Sequence, residues 1–270
     1  RLANAGCDVH FVARGAHLAA MRSFGLTIEN KEQGDIHVAK VSVTDNPATI
    51  GVADLVIIAV KVKDTEAAAL AARPLVGPRT AVLSLQNGVI KDDILRKHYP
   101  AAQVMGGVAY VATHVARPGV ILQVGAMQRI VLGEYDGKRS ARAQALLEAL
   151  LRAGVKAELS DDIRRTLWEK YTFLAGLSGA TTTMRTTIGP IRSHPRTRAF
   201  LHELFREVVA VGRAHGVALP ADYADDRLAF ADSVPATMTS SMHHDLERGK
   251  PLEVESLAGG VVTLGAAVGV

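Results

Sequence analysis

The sequence predicts an α/β chain in two parts: a doubly wound sheet domain over residues 1–160 and an all-helical domain over residues 161–270. Three observations carry this expectation. In the first part, short runs rich in β-branched residues alternate with helical stretches. The run Leu55, Val56, Ile57, Ile58, Ala59, Val60 is continuously apolar over the length of a strand buried on both faces. From Asp161 onward, helical periodicity replaces strand alternation.

Composition bounds the function. With 270 residues and 48% hydrophobic content, the chain can bury a sizeable core. Its one cysteine, Cys7, cannot close an internal disulfide, which argues against a disulfide scaffold or a Cys-rich metal site and fits a reducing, cytoplasmic setting. A net charge of +4, only 4% aromatic residues and no block of five or six basic residues speak against nucleic acid as a partner. The apolar runs are shorter than the roughly 20 residues a membrane span needs, so no membrane partner is expected.

Residues 1–6 read as the last turns of a helix closing on a glycine, Gly6. The chain is therefore expected to start inside an element. Residues 8–14 form a strand, Gly15 a turn, and residues 17–24 a helix. Residues 25–29 and 36–43 read as short strands of an antiparallel excursion, followed by a turn at Pro47. After the buried strand 54–61 come a helix at 65–72 and a second buried strand at 80–85. The turn Gln86, Asn87, Gly88 then leads to a helix at 92–98. Three strands follow at 104–111, 119–124 and 128–133, then an amphipathic helix at 141–153 and a strand at 156–159. Helices are expected at 163–177, 196–215, 221–232 and 251–268.

A doubly wound sheet binds ligands at the carboxyl ends of its strands. Arg14, Lys61 and Asn87 occupy such ends. An arginine after the second strand of a dinucleotide fold suits a 2′-phosphate and so favours NADP over NAD, although read alone Arg14 is equally a solvated arginine. The glycine fingerprint itself is absent, and a first strand with its Gly-rich turn is expected upstream. In the helical half, Lys170 lies among Trp168, Phe173 and Leu174. Partial burial there would lower its pKa and suit it to general acid work, but the position also fits a lysine reaching from a helix face to water. His243 and His244 are adjacent and lack a Glu-x-x-His pairing, so no metal site is expected.

Arg14, Lys61, the triplet Gln86, Asn87, Gly88, the stretch Leu167, Trp168, Glu169, Lys170, the stretch Ser240, Ser241, Met242, and Glu253 with Glu255 and Gly259 follow one another along essentially the whole chain. In that order and spacing the sequence resembles the 2-dehydropantoate 2-reductase (ketopantoate reductase) family. The resemblance implies an N-terminal Rossmann-type domain binding NADP and a C-terminal helical domain like that of 6-phosphogluconate dehydrogenase, with the C-terminal end open to extension. It implies that Lys170 is the catalytic acid and Glu253 its charged partner near the cofactor. Ser241 would bind the substrate carboxylate. Asn87 and Lys61 would contact cofactor and substrate, Arg14 the 2′-phosphate, and the Ala112 backbone the nicotinamide half.

The family usually carries Asn four and eight residues after the lysine; here these positions are Leu174 and Ser178, and Ser178 inherits the substrate-binding position. A further Asn before the glycine is Ala258 here. The implied activity is NADPH-dependent reduction of 2-dehydropantoate to pantoate, a step toward pantothenate and coenzyme A. Two alternatives stand beside it: a paralogue reducing another small 2-oxo acid, and a non-catalytic NADP-binding sensor. The resemblance leaves room for a homodimer.

Overall fold

The computed structural model describes residues 1–270, the side chain of Ala126 apart. The chain divides into two compact units. One comprises Arg1–Ala59, Glu66–Leu85 and Leu95–Ile163; the other comprises Val60–Thr65, Gln86–Ile94 and Arg164–Val270.

The elements run β1 (His10–Val12), α1 (Gly15–Phe24), β2 (Leu26–Glu29), β3 (Ile36–Val38), β4 (Ser42–Thr44), β5 (Leu55–Ile58), α2 (Thr65–Ala72), β6 (Ala81–Ser84) and α3 (Lys91–Arg96). They continue with β7 (Val104–Arg117), β8 (Val120–Gly133), α4 (Ala141–Arg152) and β9 (Lys156–Leu159). The opening residues form a single 3₁₀ turn, Ala3–Ala5, closed by Gly6 at φ 85°, the glycine cap the sequence predicts. β1 and β4 pair in parallel as a two-stranded sheet, while the larger sheet has the order β3-β2-β8-β7-β6-β5, with β9 also on β8. Its β5–β6, β6–β7, β2–β8 and β8–β9 pairings are parallel. The expected antiparallel excursion is the pairing of β2 with β3.

The sequence reading separated three strands where the structure forms two long ones. β7 and β8 make one antiparallel hairpin that turns at Pro118 and Gly119, the latter at φ 77°. A register shift between Val111 and Ala112 moves the partner from Gln128 to Val124, so pairing resumes beyond a break in the pattern.

The two apolar strands differ in their cover. All four residues of β6 are buried, with Val82 in a cluster shared with Ala69, Ala72 and Leu95, and Ala81 and Leu83 in a cluster shared with Leu146 and Leu150. β5 is at the sheet edge, and only Val56 and Ile58 join a core cluster while Ile57 remains 39% exposed. The expectation that β5 is buried on both faces is therefore corrected: strand side chains alternate, and only one of its faces is well covered.

The second unit is built on α5 (Ile163–Met184), α6 (Ile188–Ser193), α7 (Pro195–Ala214), α8 (Tyr223–Ser233), α9 (Ser241–Glu247) and α10 (Ala258–Val268). α5 runs beyond the expected residue 177. Two of its threonines return their hydroxyls to the preceding turn, Thr172 to the Trp168 carbonyl and Thr181 to that of Leu177. The last expected helix begins only at Ala258, because residues 251–257 form a turn in which the Ser256 and Leu257 amides donate to the Glu253 carbonyl.

The core of this unit joins Trp168, Tyr171, Ile188, Leu201, Phe205 and Leu219. Trp168 and Tyr171 meet edge to face at 5.6 Å, and Phe173 stacks on Phe205 at 5.9 Å. Gly176 permits the close approach of α5 to α7, since a Cβ there would lie 2.4 Å from the Phe205 ring. Among the described residues no helix is long and apolar enough to cross a membrane.

Phe205 is fully buried. Phe205→Ala should lower stability by about 3–5 kcal/mol, read as a lower urea midpoint of the helical unit.

Candidate active site

Lys61, Asn87, Lys170, Ser178, Ser241 and Glu253 all belong to the second unit, because Val60–Thr65 and Gln86–Ile94 are part of it. These two segments follow β5 and β6, so the strand ends singled out in the sequence supply them. Gln86, itself buried, ties the two together. Its amide donates to the Val60 carbonyl at 2.7 Å and to Thr65 Oγ1 at 2.8 Å. Thr65 Oγ1 in turn donates to the Val62 carbonyl at 2.7 Å. Gly88, at φ 85°, makes the turn that a side chain would resist.

Lys170 lies on α5 beside buried Trp168 and Tyr171, and its Nζ donates to Asn87 Oδ1 at 2.8 Å. Burial, and then the positive charge of Lys91, bring its pKa down to about 8. The helix is pinned at this level by Tyr171, whose hydroxyl donates to the Leu257 carbonyl at 2.6 Å. Burial also raises the Tyr171 pKa, so this group stays protonated.

Glu253 pairs with Lys61. Its Oε2 accepts from Lys61 Nζ at 2.8 Å and its Oε1 from the Val62 amide at 3.3 Å, and Asp245 Oδ2 accepts from the same Lys61 ammonium at 3.0 Å. The carboxylate of Glu253 thus meets Lys61, while the Lys170 ammonium donates to the Asn87 amide oxygen. Burial acts to lower the Lys61 pKa, but the hydrogen bonds and charges of Glu253 and Asp245 outweigh it and leave Lys61 above its ordinary value.

The other expected residues are more dispersed. Ser178 follows Lys170 on α5 by two turns; its Oγ is buried with no hydrogen-bond partner among the described residues. Ser241 is the exposed first residue of α9, while its neighbour Ser240 is the buried cap that accepts from the His243 amide at 3.1 Å. In the first unit, Arg14 is exposed at the start of α1, where no side chain caps the helix. Ala112 is exposed on β7 at the register shift.

Sequence reasoning gave Gln86 no role beyond its turn, and it missed Thr65 and Asp245. Asp245 falls four residues after Ser241, a spacing that puts both on one helix face and could have signalled it. Nothing in the pattern marks Thr65.

The profile described as "Ketopantoate reductase PanE/ApbA" matches residues 1–137, and that described as "Ketopantoate reductase PanE/ApbA C terminal" matches residues 162–270. A 2-dehydropantoate 2-reductase of Mesorhizobium japonicum is 33% identical over 289 residues, covering 99% of this chain and 87% of its own. The crystal structure of a PanE/ApbA family ketopantoate reductase from Ralstonia eutropha JMP134 is 34% identical with a TM-score of 0.89, covering 100% of this chain and 87% of that one. That of 2-dehydropantoate 2-reductase from Geobacter metallireducens GS-15 is 30% identical with a TM-score of 0.91, covering 100% and 89%.

The two carboxylates on Lys61 define a measurable linkage. A lysine whose pKa is raised in the folded state stabilises the fold below its ordinary value, 10.5, and that contribution disappears as pH rises through the folded value. Asp245→Asn should bring the Lys61 titration down toward 10.5, with the Glu253 contact retained, as followed by NMR of labelled lysine. An unmoved Lys61 titration would show that Asp245 does not hold it.

Proposed function

The chain belongs to the ketopantoate reductase family, and on that premise we propose that it reduces 2-dehydropantoate to pantoate with NADPH in the cytoplasm, feeding pantothenate and coenzyme A synthesis. The observation that carries this reading is the half-buried Lys170 ammonium, held at 2.8 Å by Asn87 and brought to a pKa of about 8. An acid of that strength is largely charged at neutral pH yet gives up its proton readily.

The residues present suit NADPH. Arg14 is an exposed guanidinium without a hydrogen bond or ion pair from its side chain among the described residues, at the uncapped start of the ten-residue helix α1, a donor set that fits a 2′-phosphate. NADPH, when bound, supplies the hydride. The protein's share is orientation and charge. Negative charge develops on the ketone oxygen as its carbon is reduced; Lys170 stabilises it and donates a proton from Nζ. Asn87 fixes the direction of that ammonium. Glu253, with Lys61 as its counter-ion, takes the catalytic and cofactor-facing position, and Ala112 offers backbone to the nicotinamide half.

In this reading Ser241 receives the substrate carboxylate, and Ser178 supplies a buried hydroxyl that has no hydrogen-bond partner among the described residues. Leu174, one turn from Lys170 and half-buried against the helical core, favours a second reading: a branched 2-oxo acid with an apolar chain is the preferred substrate.

Lys170→Ala should lower kcat by about 10²–10⁴-fold with NADPH affinity nearly intact. An equal loss of both would move Lys170 to cofactor binding. In the parent enzyme kcat should hold below pH 8 and fall above it, as the Lys170 proton is lost. Arg14→Ala should weaken NADPH by about ten- to a hundredfold and leave NADH unchanged, in fluorescence titrations. Rates of NADPH oxidation with ketopantoate and with branched 2-oxo acids lacking its hydroxyl decide between the two substrates.

A further inference from the structure

The strand ladder does not by itself fix the residues that follow it. β5 and β6 pair as far as Ile58 and Ser84, with the Leu85 amide donating to the Ile58 carbonyl, and Lys61 and Asn87 come after that last pair. Beyond it, a side chain joins the two segments. The Gln86 amide nitrogen donates to the Val60 carbonyl at 2.7 Å and to Thr65 Oγ1 at 2.8 Å, and Thr65 Oγ1 donates to the Val62 carbonyl at 2.7 Å. Gln86 is 7% exposed and Thr65 0%, so these bonds are made away from water. Each end of the network adjoins a group of the site. Val60 precedes Lys61, the Val62 amide donates to Glu253 Oε1 at 3.3 Å, and Gln86 precedes Asn87, whose Oδ1 accepts from Lys170 Nζ at 2.8 Å. A buried amide adds little net stability over an apolar side chain of its size, whereas a bonded polar network fixes geometry.

We propose that Gln86 is a positioning residue for proton transfer: anchored on Val60 and Thr65, it holds the Asn87 amide oxygen at the Lys170 ammonium without touching substrate. This rests on the reading of Lys170 as proton donor. Asn87 has a short side chain, so its oxygen stays at the ammonium only while the turn that carries it stays in place. On one side of Asn87 is Gly88, at φ 85°, the most permissive of residues. The restraint comes from the other side, through Gln86. A displacement of about 1 Å in such a group costs as much as about 10²-fold in rate. It also releases the proton early, because an acceptor favours the charged form of the amine it meets.

The test follows the Lys170 titration in the full chain by NMR of carbon-13-labelled lysine, the resonance assigned by its loss in Lys170→Arg, beside kcat with ketopantoate and NADPH. Gln86→Met, which keeps the length and loses both donors, should lower the Lys170 midpoint by about half a pH unit or more and kcat by about 10- to 100-fold. In an Asn87→Ala background the same substitution should leave the midpoint where Asn87→Ala alone puts it, since the group through which Gln86 acts is gone. An unmoved midpoint or a parent kcat in folded Gln86→Met overturns the proposal, and so does an equal further fall in the Asn87→Ala background. Should Gln86→Met fail to fold, Thr65→Val removes the far anchor and keeps the Val60 bond. Its midpoint should fall in the same direction, and Thr65→Ser, which restores the hydroxyl, should bring it back; a Thr65→Val midpoint equal to the parent's overturns the proposal. If Lys170→Ala keeps full activity, the proton-donor reading fails, and the midpoint in Gln86→Met still reports whether Gln86 holds the acceptor in place.

Discussion

The site rests on the requirement that a buried ammonium be met by a fixed acceptor. An amine withdrawn from water without a partner is costly enough that it would give up its charge or leave the interior. Asn87 meets Lys170 at 2.8 Å, and the surrounding order follows from keeping that oxygen in place. Gly88 sets the turn, and Gln86 anchors it to Val60 and Thr65. The anchored segment carries Lys61, whose ammonium gathers Glu253 and Asp245. From the other side, Tyr171 reaches the Leu257 carbonyl, four residues beyond Glu253. Three stretches far apart in sequence thus constrain one another through a short series of hydrogen bonds.

Within that frame, two lysines are driven in opposite directions. Lys170, partly buried, bonded to a neutral amide and opposed by the charge of Lys91, becomes a stronger acid. Lys61, more open and facing two carboxylates, becomes a weaker one. The side chains are chemically identical, so the difference lies wholly in burial and neighbours. Such divergence is the usual mark of divided roles, one group moving protons and the other fixing charge. The neutrality of Asn87 matters here: a carboxylate in its place would hold the proton on Lys170 and weaken it as a donor.

Much of this was legible in the sequence, and the misses have physical causes. Strand ends identified Lys61 and Asn87, because polar residues after apolar strand runs have few structural reasons to be there. Burial of Lys170 was foreseeable from Trp168 and its apolar neighbours. The pairing of Glu253 was not, since it depends on a contact spanning 192 positions that no local period encodes. The hairpin of β7 and β8 was read as three strands because a register shift hides continuous pairing behind an interrupted pattern.

The proposed reaction divides chemistry from selectivity along one face of α5. Lys170, Leu174 and Ser178 recur every four positions, so they rise in a row along the helix. Hydride acceptance needs the first of them alone, since the developing charge forms on the ketone oxygen whatever the rest of the molecule carries. On the proposed reading, the other two meet what the substrate presents beyond its reacting carbon. An apolar residue there discriminates by only about 1–3 kcal/mol, whereas a buried hydroxyl lacking a partner rejects more strongly any ligand that leaves it unpaired. Ser178 holds such a hydroxyl, buried without a hydrogen-bond partner among the described residues. Changes at positions 174 and 178 can therefore retune which 2-oxo acid fits while leaving Lys170, Asn87 and the charge around them intact, which separates the evolution of specificity on this helix from that of its proton chemistry.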